Sequence, residues 1–249
     1  MEGGRLLRNS QIIILGVCIA AATIVSSVIL SQGVLKVMKF TREQITVTGS
    51  AQSQIRSDLI VWAGSFARRD ADLKAAHRLL KEDLEKVKKY LAYKGIREDE
   101  LTVYQVDTAI LYKKNEKGND TNDIQGYSVT QSFTVRSNDV DKVTRVSRES
   151  TELIDQGVEV SSGAPEYFYM KLDELKIEML AKATENAKER AANMAKATGN
   201  RIGFMRSARM GVFQITPVNS TEISDWGVND TTSLDKRVTA VVNVSFAIR

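Results

Sequence analysis

From Ile12 to Leu30 the chain runs 19 residues without a charge, whereas beyond Gln44 apolar positions come in shorter runs whose period alternates between two and about three and a half. Eleven of the 19 are branched aliphatics: Ile12, Ile13, Ile14, Leu15, Val17, Ile19, Ile24, Val25, Val28, Ile29 and Leu30. As a helix rising about 1.5 Å per residue the run spans roughly 28 Å, near the hydrocarbon thickness of a bilayer. At about −0.3 to −0.6 kcal/mol each, those side chains contribute roughly −3 to −7 kcal/mol to insertion. Cleaved signals have apolar cores of roughly 7 to 15 residues, and "LSQGVLKVM" carries no clean small-x-small site, so a retained anchor over residues 11–35 is preferred to a long signal peptide. Residues 1–10 form a short tail and 36–42 a basic juxtamembrane linker. Gly16, Ala20, Thr23, Ser27 and Ser31 fall on one helical face, a candidate helix–helix surface or, equally, a chance stripe.

The remainder, residues 43–249, predicts alternating strands and helices. "ITVTGSAQ" alternates and breaks at Gly49, and "IRSDLIVWAGSFAR" reads as a longer strand with apolar residues on both faces. From Asp70 the period lengthens: Leu73, Ala76, Leu80, Leu84, Val87 and Leu91 make a helical stripe with Gly95 beyond it as a cap. "ELTVYQVDTAILY", a polar tip and "IQGYSVTQSFTVR" predict a hairpin whose second strand has one buried face. Asn138 is placed to cap a second helix carrying Val140, Val143, Val146, Leu153 and Ile154 inward and closed by Gly157. An interrupted strand over 158–170 precedes a third helix, Lys171 to Thr198, with Leu172, Leu175, Met179, Ala183, Ala187, Ala191, Met194 and Ala195 on one face. The closing "RVTAVVNVSFAIR" aligns Val238, Ala240, Val242, Val244, Phe246 and Ile248. This order predicts an α+β fold with a mixed or antiparallel sheet and three helices packed on it, behind an N-terminal transmembrane helix.

Charge refines the picture. Net charge is +4, but of 35 basic and 31 acidic residues, five basic (Arg5, Arg8, Lys36, Lys39, Arg42) and one acidic (Glu2) lie within 1–42, leaving 30 of each in the body. The excess flanks the apolar stretch, and the neutral body has no basic surplus to neutralise phosphates, which argues against a nucleic-acid partner. Basic residues on both sides of the apolar run leave its orientation open by charge alone.

Candidate chemistry is sparse. The single cysteine, Cys18, lies within the apolar run, so the body has no thiol nucleophile, disulfide or thiolate metal site. His77 is the only histidine, and no sequence neighbour supplies it with a carboxylate and a serine. "SLDK", Ser233 to Lys236, matches the S-x-x-K of some acyl-transfer enzymes but precedes a strand rather than opening a helix. "DAD" at 70–72 and "NDTND" at 119–123 lack calcium-loop spacing, and no glycine-rich phosphate loop occurs, so neither metal, cofactor nor enzymatic activity is expected. The stretch from Gln214 to Asp235 is long for a loop and holds Trp226, a candidate partner contact or a cover for the sheet. Ala187, Ala191 and Ala195 are a further candidate oligomer contact, their more ordinary task being to lie on their own sheet.

At "ENAKERAANMAKATGNRIG" the chain resembles the SIMPL-domain family of bacterial envelope proteins, a domain of unknown function. Ala187, Ala191, Ala195 and Gly199 stand where that family has its Ala-rich helix and following glycine. Ile45, Val47 and Gly49 resemble its opening, Gly126, Tyr127 and Val129 its mid-domain G-Y-x-V, and Phe246 to Ile248 its closing aromatic-x-I. Ser57 stands where a proline is common, and a second early glycine is missing. The resemblance covers about residues 43–249 and implies an extracytoplasmic α+β domain without established catalysis, in a family some of whose members assemble into rings or channel-like oligomers. Joined to the anchor, it leads to the expectation of a single-pass protein of the cytoplasmic membrane, its body periplasmic, with lipid and further copies of itself as partners. The alternatives are a periplasmic small-molecule or lipid-binding module and, more remotely, a serine hydrolase using Ser233 and Lys236.

Overall fold

The computed structural model describes residues 3–249, with side chains for 14–38 and 43–249. One helix, α1, covers Gly3–Arg42, and its segment Ile14–Met38 is long and apolar enough to cross a membrane, with none of it buried by the rest of the protein. The helix continues through 36–42, so the expected linker forms its last turns. There follow β1 (Gln44–Arg56), β2 (Leu59–Asp70), α2 (Leu73–Tyr93), β3 (Leu101–Lys114), β4 (Asp120–Ser137), α3 (Val140–Glu149) and α4 (Glu152–Asp155). Then come β5 (Glu159–Ser162), β6 (Glu166–Phe168), α5 (Leu172–Ala197), β7 (Ile202–Met210), β8 (Gln214–Pro217), β9 (Val228–Asn229) and β10 (Asp235–Ile248). The α+β class holds, but the strands form two five-stranded sheets rather than one.

The chain divides into two compact units. The first comprises Met1–Ser50, Leu180–Gly211 and Val241–Arg249. Its strands are the start of β1, the end of β10 and β7, which pairs antiparallel with β10. Ala183, Ala187, Ala191 and Ala195 of α5 are buried together with Val47, Val242, Val244 and Phe246. Small side chains let the helix backbone approach closely: a Cβ added to Gly49 would overlap the Ala183 carbonyl and stand 2.6 Å from the Ala187 Cβ. That is why β1 runs unbroken through Gly49, where the sequence suggested a break. The actual break falls at Ser57 and Asp58. Met194, expected inward, is exposed.

The second unit comprises Ala51–Met179 and Val212–Ala240. Its main sheet has the order β3-β4-β2, with β6 and β5 one after the other along the far edge of β2. β8, β9 and the start of β10 belong to the other sheet, β8 and β9 pairing parallel. Trp62, Phe66 and Phe133 anchor the core under α2, with Trp62 edge-on to Phe133 at 5.3 Å and its indole N–H donating to Ser162 Oγ at 3.0 Å. Only one face of β2 is apolar and fully buried, through Ile60, Trp62 and Phe66, whereas Ala63 on the other face is exposed. Asp139, not Asn138, caps α3 by accepting from the Lys142 N–H; the Asn138 amide instead donates to the Asp58 carbonyl. The predicted second helix is two, α3 and α4, and Ile154 faces solvent.

Candidate functional site

The buried polar groups of the second unit include two arrangements whose charge could do chemistry. Asp83 sits on the inward face of α2 and is 1 % exposed. The Arg68 guanidinium of β2 meets it in a bidentate pair, Nε to one oxygen and Nη2 to the other at 2.8 Å, and also donates to the Gly157 carbonyl at 2.5 Å. The carboxylate holds the Arg68 pKa above its ordinary value, outweighing partial burial. This pair pins β2, α2 and the turn after α4, and no catalytic role follows from it. The reading of α2 as an apolar stripe missed it, although Ala76, Leu80, Asp83, Val87 and Tyr90 share one helical face and thereby mark Asp83 as inward.

The second is Lys236, 3 % exposed at the start of β10. Its ammonium donates to the Tyr167 carbonyl at 2.6 Å and to the Asp230 carbonyl. Burial pushes its pKa below the ordinary lysine value, partly opposed by the Asp230 carboxylate. Asp230 organises its own turn, one oxygen accepting from the Thr232 N–H and hydroxyl at 2.8 Å and from the Ser233 N–H at 3.3 Å. Burial raises its pKa, but those hydrogen bonds and Lys236 win, leaving it below the ordinary aspartate value. Ser233 and Lys236 therefore belong to a clamp closing the loop before β10, in which the lysine faces carbonyl oxygens.

Open strands and exposed apolar side chains mark the surface. β4 from Asp120 to Gly126 lies beyond the reach of β2, whose Asp70 registers on Tyr127, so it pairs with β3 alone. This two-stranded arm exposes Tyr112 and Ile124, with Ile110 exposed at its base, and among the described residues the outer edge of β3 carries no strand. β7 is likewise open on its outer side, and Phe204, Met205 and Met210 project from it into solvent. The stretch Gln214–Asp235 contains two short strands, and between them Trp226 is 94 % exposed beside an exposed Ile223. A cavity of about 400 Å³ lies beside the end of α2, lined among others by Leu91, Ile96, Leu101 and Val103.

The remaining predicted positions are distributed as follows. Ile14, Leu15, Val17, Ile19, Ile24, Val25, Val28, Ile29 and Leu30 lie exposed along α1, and the Ile12 and Ile13 side chains lie outside the described residues. Gly16 has open space around it, Thr23 returns its hydroxyl to the Ala20 carbonyl, and among the described residues none covers the Gly16, Ala20, Thr23, Ser27 face. Ala187, Ala191 and Ala195 are buried inside their own unit, the more ordinary of the two tasks the sequence offered them. His77 is exposed on α2. Asp72 caps α2 and accepts from the Lys74 and Ala75 N–H groups, while Asn115 ties the hairpin tip through Lys117 and Asn119. Among the described residues no three His, Cys, Asp or Glu side chains cluster to hold a metal ion.

Residues 45–246 match the model of the SIMPL family, described as a protein of unknown function. No curated protein matches the chain. With β1 opening that region, the Ala-rich α5 packed on Gly49, and β10 closing it, the chain belongs to the SIMPL family.

Proposed function

We propose that this protein is a membrane-anchored scaffold: α1 holds it in the cytoplasmic membrane, and its periplasmic body associates with copies of itself into a ring or cage, without catalysis. The observation that carries the reading is the pair of open strand edges, β3 and β7, each bearing exposed apolar side chains. An unpaired edge presents a row of free N–H and C=O groups, and proteins that stay monomeric blunt such edges or cover them. Among the edges of the described residues these two are unlike each other and carry exposed apolar side chains, and an unlike pair joins head to tail, the arrangement that generates rings when the rotation closes. The unburied Ile14–Met38 segment supports the anchor, and the arrangement of Lys236 on carbonyl oxygens favours a structural role over an acyl-transfer base.

Mass measurement of the detergent-solubilised full chain tests the reading. A defined multiple of 27.6 kDa is expected, and a strictly monomeric particle overturns it. The cavity beside α2 favours a second reading, a small-molecule or lipid-binding module, because its lining is rich in aliphatic side chains. Native mass spectrometry of the purified protein tests that one, a reproducible bound mass supporting it and its absence counting against it.

A further inference from the structure

The strand ends of the first unit meet the chain as it leaves α1. Helix α1 ends at Arg42 and β1 begins at Gln44, with Glu43 alone between them. The Glu43 carbonyl accepts the N–H of Ile248 on β10, and Ile248 registers on Ile202 of β7. One step beyond that row, on the side from which the chain arrives, Arg201 and Arg249 exchange both backbone hydrogen bonds at 2.7 and 2.8 Å. The uncharged apolar stretch closes at Leu35, before Lys36, so seven helical residues, about 10 Å, separate it from this edge. A headgroup layer is about 5–8 Å deep, and an arginine's long stem reaches back across the remainder. With α1 as the anchor, the edge of the sheet stands at the outer border of the lipid headgroups.

The side chains there suit that level. The Arg249 guanidinium lies over the Phe204 ring, 5.0 Å from its centroid, and Phe204 is 74 % exposed. Gly203 leaves the track for it: a Cβ at that position would stand 3.2 Å from Arg249 Nε. Residues 200–210 carry three arginines, Arg201, Arg206 and Arg209, and no acid. Arginines pair with phosphates in two-pronged geometry, and aromatic rings settle at the boundary between headgroups and acyl chains.

We propose that Arg201, Arg249 and Phe204 form a lipid-docking foot that seats the end of the sheet on anionic headgroups beside the protein's own anchor. The foot rests on the reading of α1 as a retained anchor. It would fix the orientation of the first unit at the membrane, which a single spanning helix leaves free to swivel.

The test uses the full chain carrying F204W in a W226F background, reconstituted into liposomes of phosphatidylcholine alone or mixed with phosphatidylglycerol, with lipids brominated near the headgroup as quenchers. Trp62 remains buried and constant. In the mixed liposomes the emission of the introduced indole should shift to the blue and be quenched roughly twofold or more, an effect that high salt or R201E/R249E removes. Water-like, unquenched emission from protein that survives alkaline carbonate washing overturns the foot while leaving the anchor intact. Loss of the protein in the wash overturns the anchor and the foot together. A blue shift without quenching, reproduced in detergent by particles heavier than a monomer, assigns the Phe204 surface to a second copy and also overturns the proposal.

Discussion

Gly49 on β1 and Ala187 on α5 lie face to face, so close that a Cβ on the glycine would stand 2.6 Å from the alanine's own. Around this contact Asn186 Oδ1 accepts the Ser50 N–H and the Arg190 guanidinium donates to the Thr48 carbonyl, both at 3.2 Å. The helix rests on the strand through backbone and small side chains. Gly49→Ala should therefore destabilise the first unit by about 1–3 kcal/mol, as overpacking does, and Gly49→Val by more. Urea denaturation measures both. Pairing Gly49→Ala with Ala187→Gly should recover little, because the Ala183 carbonyl still obstructs the new Cβ.

Arg68 and Asp83 predict a larger loss. Truncating Arg68 to Ala leaves the buried Asp83 carboxylate with only the Lys86 ammonium, 3.6 Å away, and costs up to about 3–5 kcal/mol. Removing both charges with Arg68→Met and Asp83→Leu should recover most of that, since an apolar pair of similar volume needs no desolvated partner. Thermal denaturation of the two single variants and the double variant measures the coupling; additive losses would show that the pair does not act as a unit.

These two sites mark where the sequence was legible and where it was not. Local rules read well: the stripes of α2 and α5 follow the 3.6-residue period, and Gly95 and Gly199 end their helices at φ of 82° and 77°. The closing strand alternates as expected, with Val238, Ala240, Val242, Val244 and Phe246 all buried. Failures came where a distant element decides. Gly49 looks like a breaker until α5, more than 130 residues later, is laid on it. The face shared with Ala76, Leu80 and Val87 places Asp83 inward, but its partner Arg68 shows only once β2 is laid beside α2. The open edges of β3 and β7 were invisible for the same reason, because alternation specifies a face and leaves the neighbour on either side unstated.

Lys236 gives a pH signature. Its folded pKa lies below the ordinary 10.5, so between the two values the unfolded chain binds more protons and stability rises with pH. The gain is complete above 10.5 and is lost as pH falls through the folded value. Measured against Lys236→Met, the wild type should become relatively more stable as pH climbs through that alkaline window. A flat difference between the two would mean that burial leaves this lysine untouched. The same geometry predicts that fluorophosphonate probes leave Ser233 unlabelled, and labelling that depends on Lys236 would revive the hydrolase reading.

The arm provides the sharpest separation between folding and assembly. Ile124 on the arm and Ile110 at its base are exposed, and neither belongs to the hydrophobic core. Substituting both by Lys should change the stability of the folded chain by no more than about 0.5 kcal/mol each, the usual range for surface positions. If copies associate along the β3 edge, the same substitutions place unpaired charges in a desolvating interface and shift the particle toward monomer. Light scattering on the detergent-solubilised variant reads the mass, and thermal denaturation verifies the fold. An unchanged multimer would move the association to β7 or to the loop carrying Trp226. Trp226→Ala then separates those two: loss of assembly with unchanged stability points to the loop, because at 94 % exposure the indole has little to contribute to its own fold.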